Sequence, residues 1–543
     1  MKHAKNRRSC MAWGLWIAVS LLTMGGCGDD TIIMMQSNYG AISGIVKWPG
    51  VDRRGDTGLP LFPAAGAKIT LMHQGRTVTE KEADREGMFV FSNLSPGSYS
   101  VGFTYPDCAD VTMDVTVAPN TTHPLRTPPF NSVLLKPDPK KKPWTVLMYV
   151  NSTDHAHARS DSSTLRIMEK TGSNNNVNLV ALSSDGLNNR TRLYYLLEPE
   201  FTIDPDPIDD FMDVSRILSP YYDFTAETTE IDPGEYQVLE EFLTMALRHY
   251  PADNTLLIIS GHGDGINMTD PSDMSGRMAM AVSPNPTTKR EITMPQLAEV
   301  LHRVNSTGAI NMLAFQACFM GMFEVLYELK DRNMDYLVVS EATVGARIIG
   351  KNLIEELAAN PDLGSRELAK RMVSEYAEGN TLAAIDMSRL SPFVSSYNSL
   401  ARSLNDYVSY QNANVPVLLD LLRHTQRASS IPDRTLFLYD HYYDLRHFTQ
   451  RIKENQVISS HDLKQSATEV YDALEAGEDR LIIHFKKTST EGFTNAHGLS
   501  TLIYNPEADP PQYASEAQAI YRRHRYYQDG NVDWDSFLQQ LAP

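Results

Sequence analysis

The sequence predicts an α/β protein, a mostly parallel sheet flanked by helices, preceded by a small all-β sandwich. Three observations carry that reading. From Trp144 onward, short apolar runs alternate with helical stretches, and strands joined by helices form parallel sheets covered on both faces. Residues 40–120 instead alternate apolar and polar positions between turn residues, as half-buried strands do. The chain has 543 residues, 42% of them hydrophobic, enough for two or three globular domains of roughly 100–200 residues each.

The first 26 residues read as a targeting signal. Lys2, Lys5, Arg7 and Arg8 precede an apolar stretch from Met11 to Met24 that is short for a membrane span. It ends in Met24-Gly25-Gly26-Cys27. Small residues before a cysteine resemble a bacterial lipobox, which implies cleavage and lipidation at Cys27. An ordinary secretory signal, with Cys27 incidental, is the alternative. Residues 27–39, beginning Cys27-Gly28-Asp29-Asp30, would form a tether. The expected location is therefore outside the cytoplasm, on a bacterial membrane through a lipid anchor, facing periplasm or exterior.

Loss of Lys2, Lys5, Arg7 and Arg8 with that signal would take the formal charge from −18 to −22. Such a surface repels nucleic acid and anionic lipid and suits neutral or cationic partners. Of the four cysteines, Cys10 leaves with the signal and Cys27 is the lipidation candidate. Only Cys108 and Cys318 remain. Whether they pair is open, but so few cysteines exclude a disulfide scaffold.

Four further segments follow. Ala41–Trp48 and Ala67–Met72 alternate, and Gly87 and Pro96-Gly97 punctuate Met88–Phe91 and Tyr99–Val101. This pattern resembles carboxypeptidase-regulatory-like and prealbumin-like sandwiches, which implies a spacer or docking module at 40–120. Residues 121–143 are rich in Pro and Thr and end in Lys140-Lys141-Lys142-Pro143, a linker composition. Residues 144–510 carry the α/β pattern. Strands are expected at Thr145–Val150, Val177–Ser183, Arg192–Leu197, Thr255–Ser260, Ile310–Phe315, Tyr336–Ser340, Leu481–Phe485 and Leu499–Tyr504. Helices are expected at Gly234–Tyr250, Met320–Lys330, Ser365–Glu378, Leu390–Tyr407 and His461–Ala476. Residues 511–543 read as a C-terminal helical segment.

Two strand ends could carry chemistry. Leu256–Ser260 runs into Gly261-His262-Gly263-Asp264-Gly265, and Ile310–Phe315 runs into Gln316-Ala317-Cys318-Phe319-Met320-Gly321. Ligand sites in open α/β sheets lie beyond the carboxyl ends of strands. A thiol attacks as thiolate, which an imidazole or a helix N-terminus favours. A cysteine after an apolar strand is also a common buried hydrophobe, so position alone leaves both readings open.

The motifs resemble those of clostripain-family cysteine peptidases. The family's Asp-Ala-Cys-Leu-Met-Gly followed by a glutamate-bearing helix is matched by Gln316–Gly321 and Glu324. Its H-G-x-G is matched by His262-Gly263-Asp264-Gly265, and its first strand by Trp144–Val150. Ser340-Glu341, Tyr443-Asp444-Leu445 and His497-Gly498-Leu499-Ser500 follow as landmarks in the family's order. The resemblance covers roughly residues 144–505.

It implies a caspase-like fold, shared in outline with gingipains and legumains, and an endopeptidase acting on protein or peptide substrates. Cys318 would be the nucleophile, His262 the proton donor and base, and the backbone N–H groups of Gly263 and Cys318 the oxyanion donors. Where the family carries a pocket Asp that binds Arg or Lys, this chain has Gln316. An amide cannot make the charge-assisted contact that a carboxylate makes with guanidinium. A relaxed or polar uncharged preference is then expected, with Glu341, Asp335 and Asp264 as the acids that could compensate; Gln316 and Glu341 are the candidate substrate-binding residues. Arg277, Lys289 and Arg290 occupy the interval where some relatives cleave themselves. Calcium dependence occurs in part of the family, but no D-x-D-x-D-G loop is present, so no cofactor or metal site is readable. The runner-up reading is a catalytically degenerate surface binding protein on a peptidase scaffold. Oligomeric state and natural substrate are not encoded in these features.

Overall fold

The structure is a computed structural model. It describes residues 38–541 except 50–60, 106–107, 128–130, 138–140, 153–154, 186–189, 199–216, 218, 220, 224–230, 267–290, 345–346, 351, 378, 411–413, 429–440, 488–491, 505–517 and 520. The signal, Cys27, Arg277, Lys289 and Arg290 lie outside the described residues.

A nine-stranded sheet forms the larger unit. Its strands are β1 (Lys142–Ser152), β2 (Val177–Asp185), β3 (Arg190–Tyr195), β4 (Tyr221–Asp223), β5 (Ala252–Ser260), β6 (Met312–Gln316), β7 (Tyr336–Val339), β8 (Thr381–Asp386) and β9 (Ile482–Lys487). They lie in the order β4-β3-β2-β1-β5-β6-β7-β8-β9. The central strands β2, β1, β5, β6 and β7 run parallel, and the strands outside them pair antiparallel. The expectation of a mostly parallel sheet thus holds at the centre and not at the edges. The short join from Asp185 to Arg190 explains one edge, because a parallel return needs a crossover of about a dozen residues.

The central strands are buried on both faces, which is why they read as continuous apolar runs. Leu147, Tyr149, Leu257, Ile259, Leu313 and Phe315 pack on one face. That side carries α2 (Tyr236–His249) and α3 (Met294–Val304). Val146, Met148, Leu256, Ile258, Met312 and Ala314 pack on the other, with Leu165 and Met168 of α1 (His155–Thr171). The start of α3 is set locally. Thr293 accepts from the Gln296 N–H, and the Gln296 side chain accepts from the Thr293 N–H at 2.9 Å, a reciprocal cap worth about 1 kcal/mol.

The described residues between 40 and 137 form two facing sheets and a short ladder of Lys136–Pro137 with Cys108–Ala109. One holds Gly40–Pro49, Leu61–Pro63, Met88–Leu94, Thr122–Leu125 and Val133–Leu134, and the other Arg76–Glu82, Lys68–His73, Gly97–Thr104 and Val111–Val117. Ile42, Val46, Ile69, Leu71, Phe89, Phe91, Val101 and Phe103 fill the space between them. Gly87 has φ +76, and a β-carbon there would strike the Val46 carbonyl, so the turn requires glycine.

The segment expected as a linker is part of this sandwich. Ala41 lies opposite Thr122 and Lys47 opposite Leu134, both in parallel pairing. Its Pro/Thr content masked three apolar positions, Leu125, Val133 and Leu135, that are buried in the core. The sandwich also rests directly on the larger unit. Trp48 packs edge-on against Tyr195 at 5.8 Å and Tyr250 at 6.4 Å, and Tyr195 and Tyr250 stack at 5.2 Å.

The C-terminal segment likewise belongs to the α/β unit. Trp534, on the final helix Asp533–Leu541, is fully buried against Tyr397 at 4.6 Å and donates its indole N–H to Leu502 O at 3.1 Å. Among the described residues no helix is long and apolar enough to cross a membrane.

Candidate active site

The site is built at the carboxyl ends of β5 and β6. These strands are parallel neighbours with Ser260 opposite Gln316, and Gly261 N–H donates to Gln316 O at 3.2 Å. His262 and Cys318 lie two residues beyond that pair on their respective chains, and both are half-buried. Gly263 then packs on the backbone of Cys318. A β-carbon at 263 would fall 2.8 Å from Ala317 Cβ and 3.0 Å from Cys318 N, and nearer still to the Cys318 carbonyl. The glycine after His262 is therefore a requirement of close approach. The structure brings together His262, Gly263, Gln316 and Cys318.

After Cys318 the chain turns sharply. Phe319 has φ 59, a left-handed conformation that costs a non-glycine residue about 1–3 kcal/mol. Its surroundings hold it there. Phe319 N–H donates to Ala342 O at 3.0 Å and Gly321 N–H to Ser340 O at 2.6 Å, and the ring sits 6.2 Å from Tyr442. The strain falls on the residue next to the candidate nucleophile, and no sequence pattern announces it.

The sulfur accepts the Val344 N–H at 3.4 Å. Burial pushes the Cys318 thiol up to about 11, and the nearby Asp264 carboxylate adds to the rise against the Val344 N–H. At neutral pH the resting group is thus a thiol, and its activation needs a base. Asp264 is buried, and its carbonyl accepts the Tyr442 hydroxyl at 2.7 Å. Burial, with Asp264 as the second cause, also pushes the Glu291 carboxyl up to about 8.

Gln316 is 4% exposed. Its Nε2 donates to Asp161 Oδ1 at 3.0 Å and to Ser260 Oγ at 2.9 Å. Its Oε1 accepts from Thr164 Oγ1 and from Ile348 N–H, each at 3.3 Å. Both amide protons and both acceptor positions are thereby engaged within the protein. Asp161, on α1 and 2% exposed, also accepts the Ser260 hydroxyl. Sequence reading passed over Asp161, since it belongs to no motif and reaches the site only through helix packing.

Glu341 lies in the interior. Its Oε1 accepts Gly498 N–H at 2.6 Å. Burial, and then the Asp444 carboxylate hydrogen-bonded to it, raise its pKa well above the usual range. Asp444 in turn accepts His497 N–H and His447 N–H, each at 2.6 Å. The three downstream landmarks of the sequence, around 341, 444 and 497, are therefore one cluster. Ser500 N–H donates to Gly321 O at 2.9 Å, which ties that cluster to the turn after Cys318. Asp335 immediately precedes β7 and so stands at the amino end of the strand, opposite the site.

Cys108 and Cys318 form no disulfide. Among the described residues no group of three or more His, Cys, Asp or Glu side chains could hold a metal ion.

Comparison with known proteins gives the family. The sequence model of the clostripain family, Peptidase_C11, matches residues 168–540, an interval that contains both strand ends and the C-terminal helices. Clostripain of Hathewaya histolytica is 27% identical over 124 residues, 22% of this chain and 23% of that protein, so the alignment spans about a quarter of the curated relative. A secreted C11 cysteine protease from Bacteroides thetaiotaomicron, solved in complex with an irreversible peptide inhibitor, is 17% identical. It aligns over 72% of this chain and 99% of its own, with a TM-score of 0.48. An inactive zymogen C11 protease from Parabacteroides distasonis is 15% identical over the same shares, with a TM-score of 0.48. With most of its length matched by the family model, the chain belongs to the clostripain family.

Proposed function

We propose that the protein is a cysteine endopeptidase that hydrolyses peptide bonds through Cys318 and His262. The observation that carries this reading is the contact of Gly263 with the Cys318 backbone at two adjacent strand ends. It sets an imidazole-bearing residue and a thiol-bearing residue on one rim of the sheet.

In this mechanism His262 takes the Cys318 proton as the sulfur attacks the scissile carbonyl carbon. An S–C bond forms, and the carbonyl π pair moves to oxygen. The backbone N–H groups of Gly263 and Cys318 are the candidate donors to that oxyanion. Collapse re-forms the carbonyl and breaks the C–N bond, and His262 delivers its proton to the leaving amine. Water then attacks the thioester with His262 as base, which releases the acid and restores the thiol. The resting thiol's high pKa is compatible with this order, because proton transfer accompanies attack. Substrates are polypeptides outside the cytoplasm, and Cys27 provides a lipid anchor.

The second reading, a binding protein on a peptidase scaffold, draws on the same raised thiol pKa and on Gln316. One experiment separates the two. Purified protein is assayed on a mixed peptide library alongside Cys318→Ala and His262→Ala. Loss of about a thousandfold or more in rate, with cooperative unfolding unchanged, is expected of each variant. Equal cleavage by wild type and Cys318→Ala would refute the peptidase assignment.

A further inference from the structure

The loop that carries His262 is held at several points. Gly261 N–H is bound to β6 through Gln316 O at 3.2 Å. Asp264 O accepts the Tyr442 hydroxyl at 2.7 Å. Gly265 has φ +69 and lies so close to the turn after Cys318 that a β-carbon there would meet Met322 Sδ at 2.5 Å and Phe319 O at 3.1 Å. Ile266, 1% exposed, is held from a distant part of the chain. Its carbonyl faces His524 Nε2 at 3.3 Å. A carbonyl only accepts, so that nitrogen carries a proton and donates it.

His524 belongs to a C-terminal stretch fastened to α4 (Phe323–Glu328), the helix that follows Cys318. Arg525 N–H donates to Glu328 Oε2 at 3.0 Å, and the Arg525 guanidinium donates to Lys330 O at 2.6 Å and to Asp331 Oδ2 at 3.0 Å. The Tyr327 hydroxyl donates to Asp529 Oδ2 at 3.0 Å. The Tyr526 ring packs edge-on against Phe323 at 5.1 Å and Tyr327 at 5.0 Å. His524 Nδ1 lies 3.6 Å from Glu328 Oε2. The two ring nitrogens therefore face the two segments of the site, Nδ1 the helix after the thiol and Nε2 the loop after the imidazole.

A side chain with only a packing role in such a place would be apolar. His524 is 1% exposed, and burying an imidazole costs free energy unless its nitrogens find partners. The partners it finds lie on the two chain segments that must meet for the reaction to run. A base has to stand within hydrogen-bond reach of the proton it takes, and a misplacement of about 1 Å can cost about a hundredfold in rate.

We propose that His524 is a positioning residue for the reaction: by bracing the Ile266 carbonyl from α4, it holds the loop of His262 at the distance from Cys318 that proton transfer requires. This rests on the peptidase reading above. His524 acts through His262 and not on the reacting atoms.

The test compares the full chain, His524→Phe and His524→Gln on the peptide that the wild type cleaves fastest from a mixed library, with Cys318→Ala as the control. Rates are read well below the unfolding midpoint of every protein, so that loss of folded material does not enter. His524→Phe fills the space without a donor, and its kcat is expected to fall about tenfold to a hundredfold with KM within about twofold of the wild type. His524→Gln presents an amide N–H near the position of Nε2 and should bring kcat back to within about threefold. If the phenyl ring prevents folding, His524→Asn takes its place with the same expectation, because its shorter amide stops short of Ile266 O. Unchanged kcat in the variant without the donor, or a loss that His524→Gln does not reverse, would overturn the inference and leave the peptidase reading standing. Absence of Cys318-dependent cleavage in the wild type would overturn both.

Discussion

Gln316 Nε2 donates to Asp161 Oδ1 across 3.0 Å, so the amide at the end of β6 and the carboxylate on α1 form a buried pair beneath the candidate nucleophile. An acid at 316 would face that carboxylate in an environment from which water is excluded. Gln316→Asp is therefore expected to destabilise the fold by about 3 kcal/mol or more, because it replaces an amide donor to the Asp161 carboxylate by a like charge in a buried site. The double variant with Asp161→Asn should recover most of the loss. Urea denaturation of the four proteins of the cycle measures the coupling, and additive losses would refute it.

The raised thiol pKa has a kinetic signature. With Cys318 at about 11, its thiolate fraction at pH 7 is about a hundredfold below that of an ordinary exposed thiol. In His262→Ala, alkylation of Cys318 by iodoacetamide should climb continuously as pH approaches 11. The wild type should react faster below that range, because His262 takes the proton as the sulfur attacks. Stopped alkylation with peptide mapping distinguishes Cys318 from Cys108; identical profiles in the two proteins would exclude His262 as the base.

The Glu341–Asp444 pair makes stability depend on pH. Glu341 has a pKa raised by burial and by Asp444, so the folded state holds its proton more tightly than the unfolded chain does. Its contribution is complete below the ordinary carboxyl range, roughly pH 4 to 5, and is lost as pH rises through the folded value. Glu341→Gln keeps an acceptor for Gly498 N–H and removes the ionisation. Its denaturation midpoint should fall less than the wild type's between pH 5 and pH 9, and parallel pH profiles would refute the assignment.

Trp48 tests whether the sandwich is a fixed part of the molecule. Its ring fills the junction against Tyr195 and Tyr250. Trp48→Ala should cost about 3–5 kcal/mol and open the chain between the two units to limited proteolysis. An unchanged digestion pattern would show that the contact does not hold the units together.

Much of the α/β unit was legible because its chemistry is local. Runs such as Leu256–Ile259 sit on strands buried on both faces, and the predicted strand ends near Ser260 and Gln316 lie side by side in the sheet. β8 was missed. Its core is Leu382-Ala383-Ala384-Ile385, and alanine is a weak strand former whose burial here is imposed by β7 and β9. α1 was missed because its helix carries serines, histidines and charges, with few of the apolar positions that mark a buried face.

By itself the sequence determined the two strand ends and the residue types at them, because strand periodicity and the glycine-flanked histidine are written in consecutive positions. Tertiary structure alone decided their surroundings. It set Asp161 against Gln316, Glu341 against Asp444, and Phe319 in a left-handed turn. Each of these depends on segments distant in the chain being pressed together by the burial of the two sheet faces, and hydrogen bonds between such segments leave no periodic trace in the order of residues.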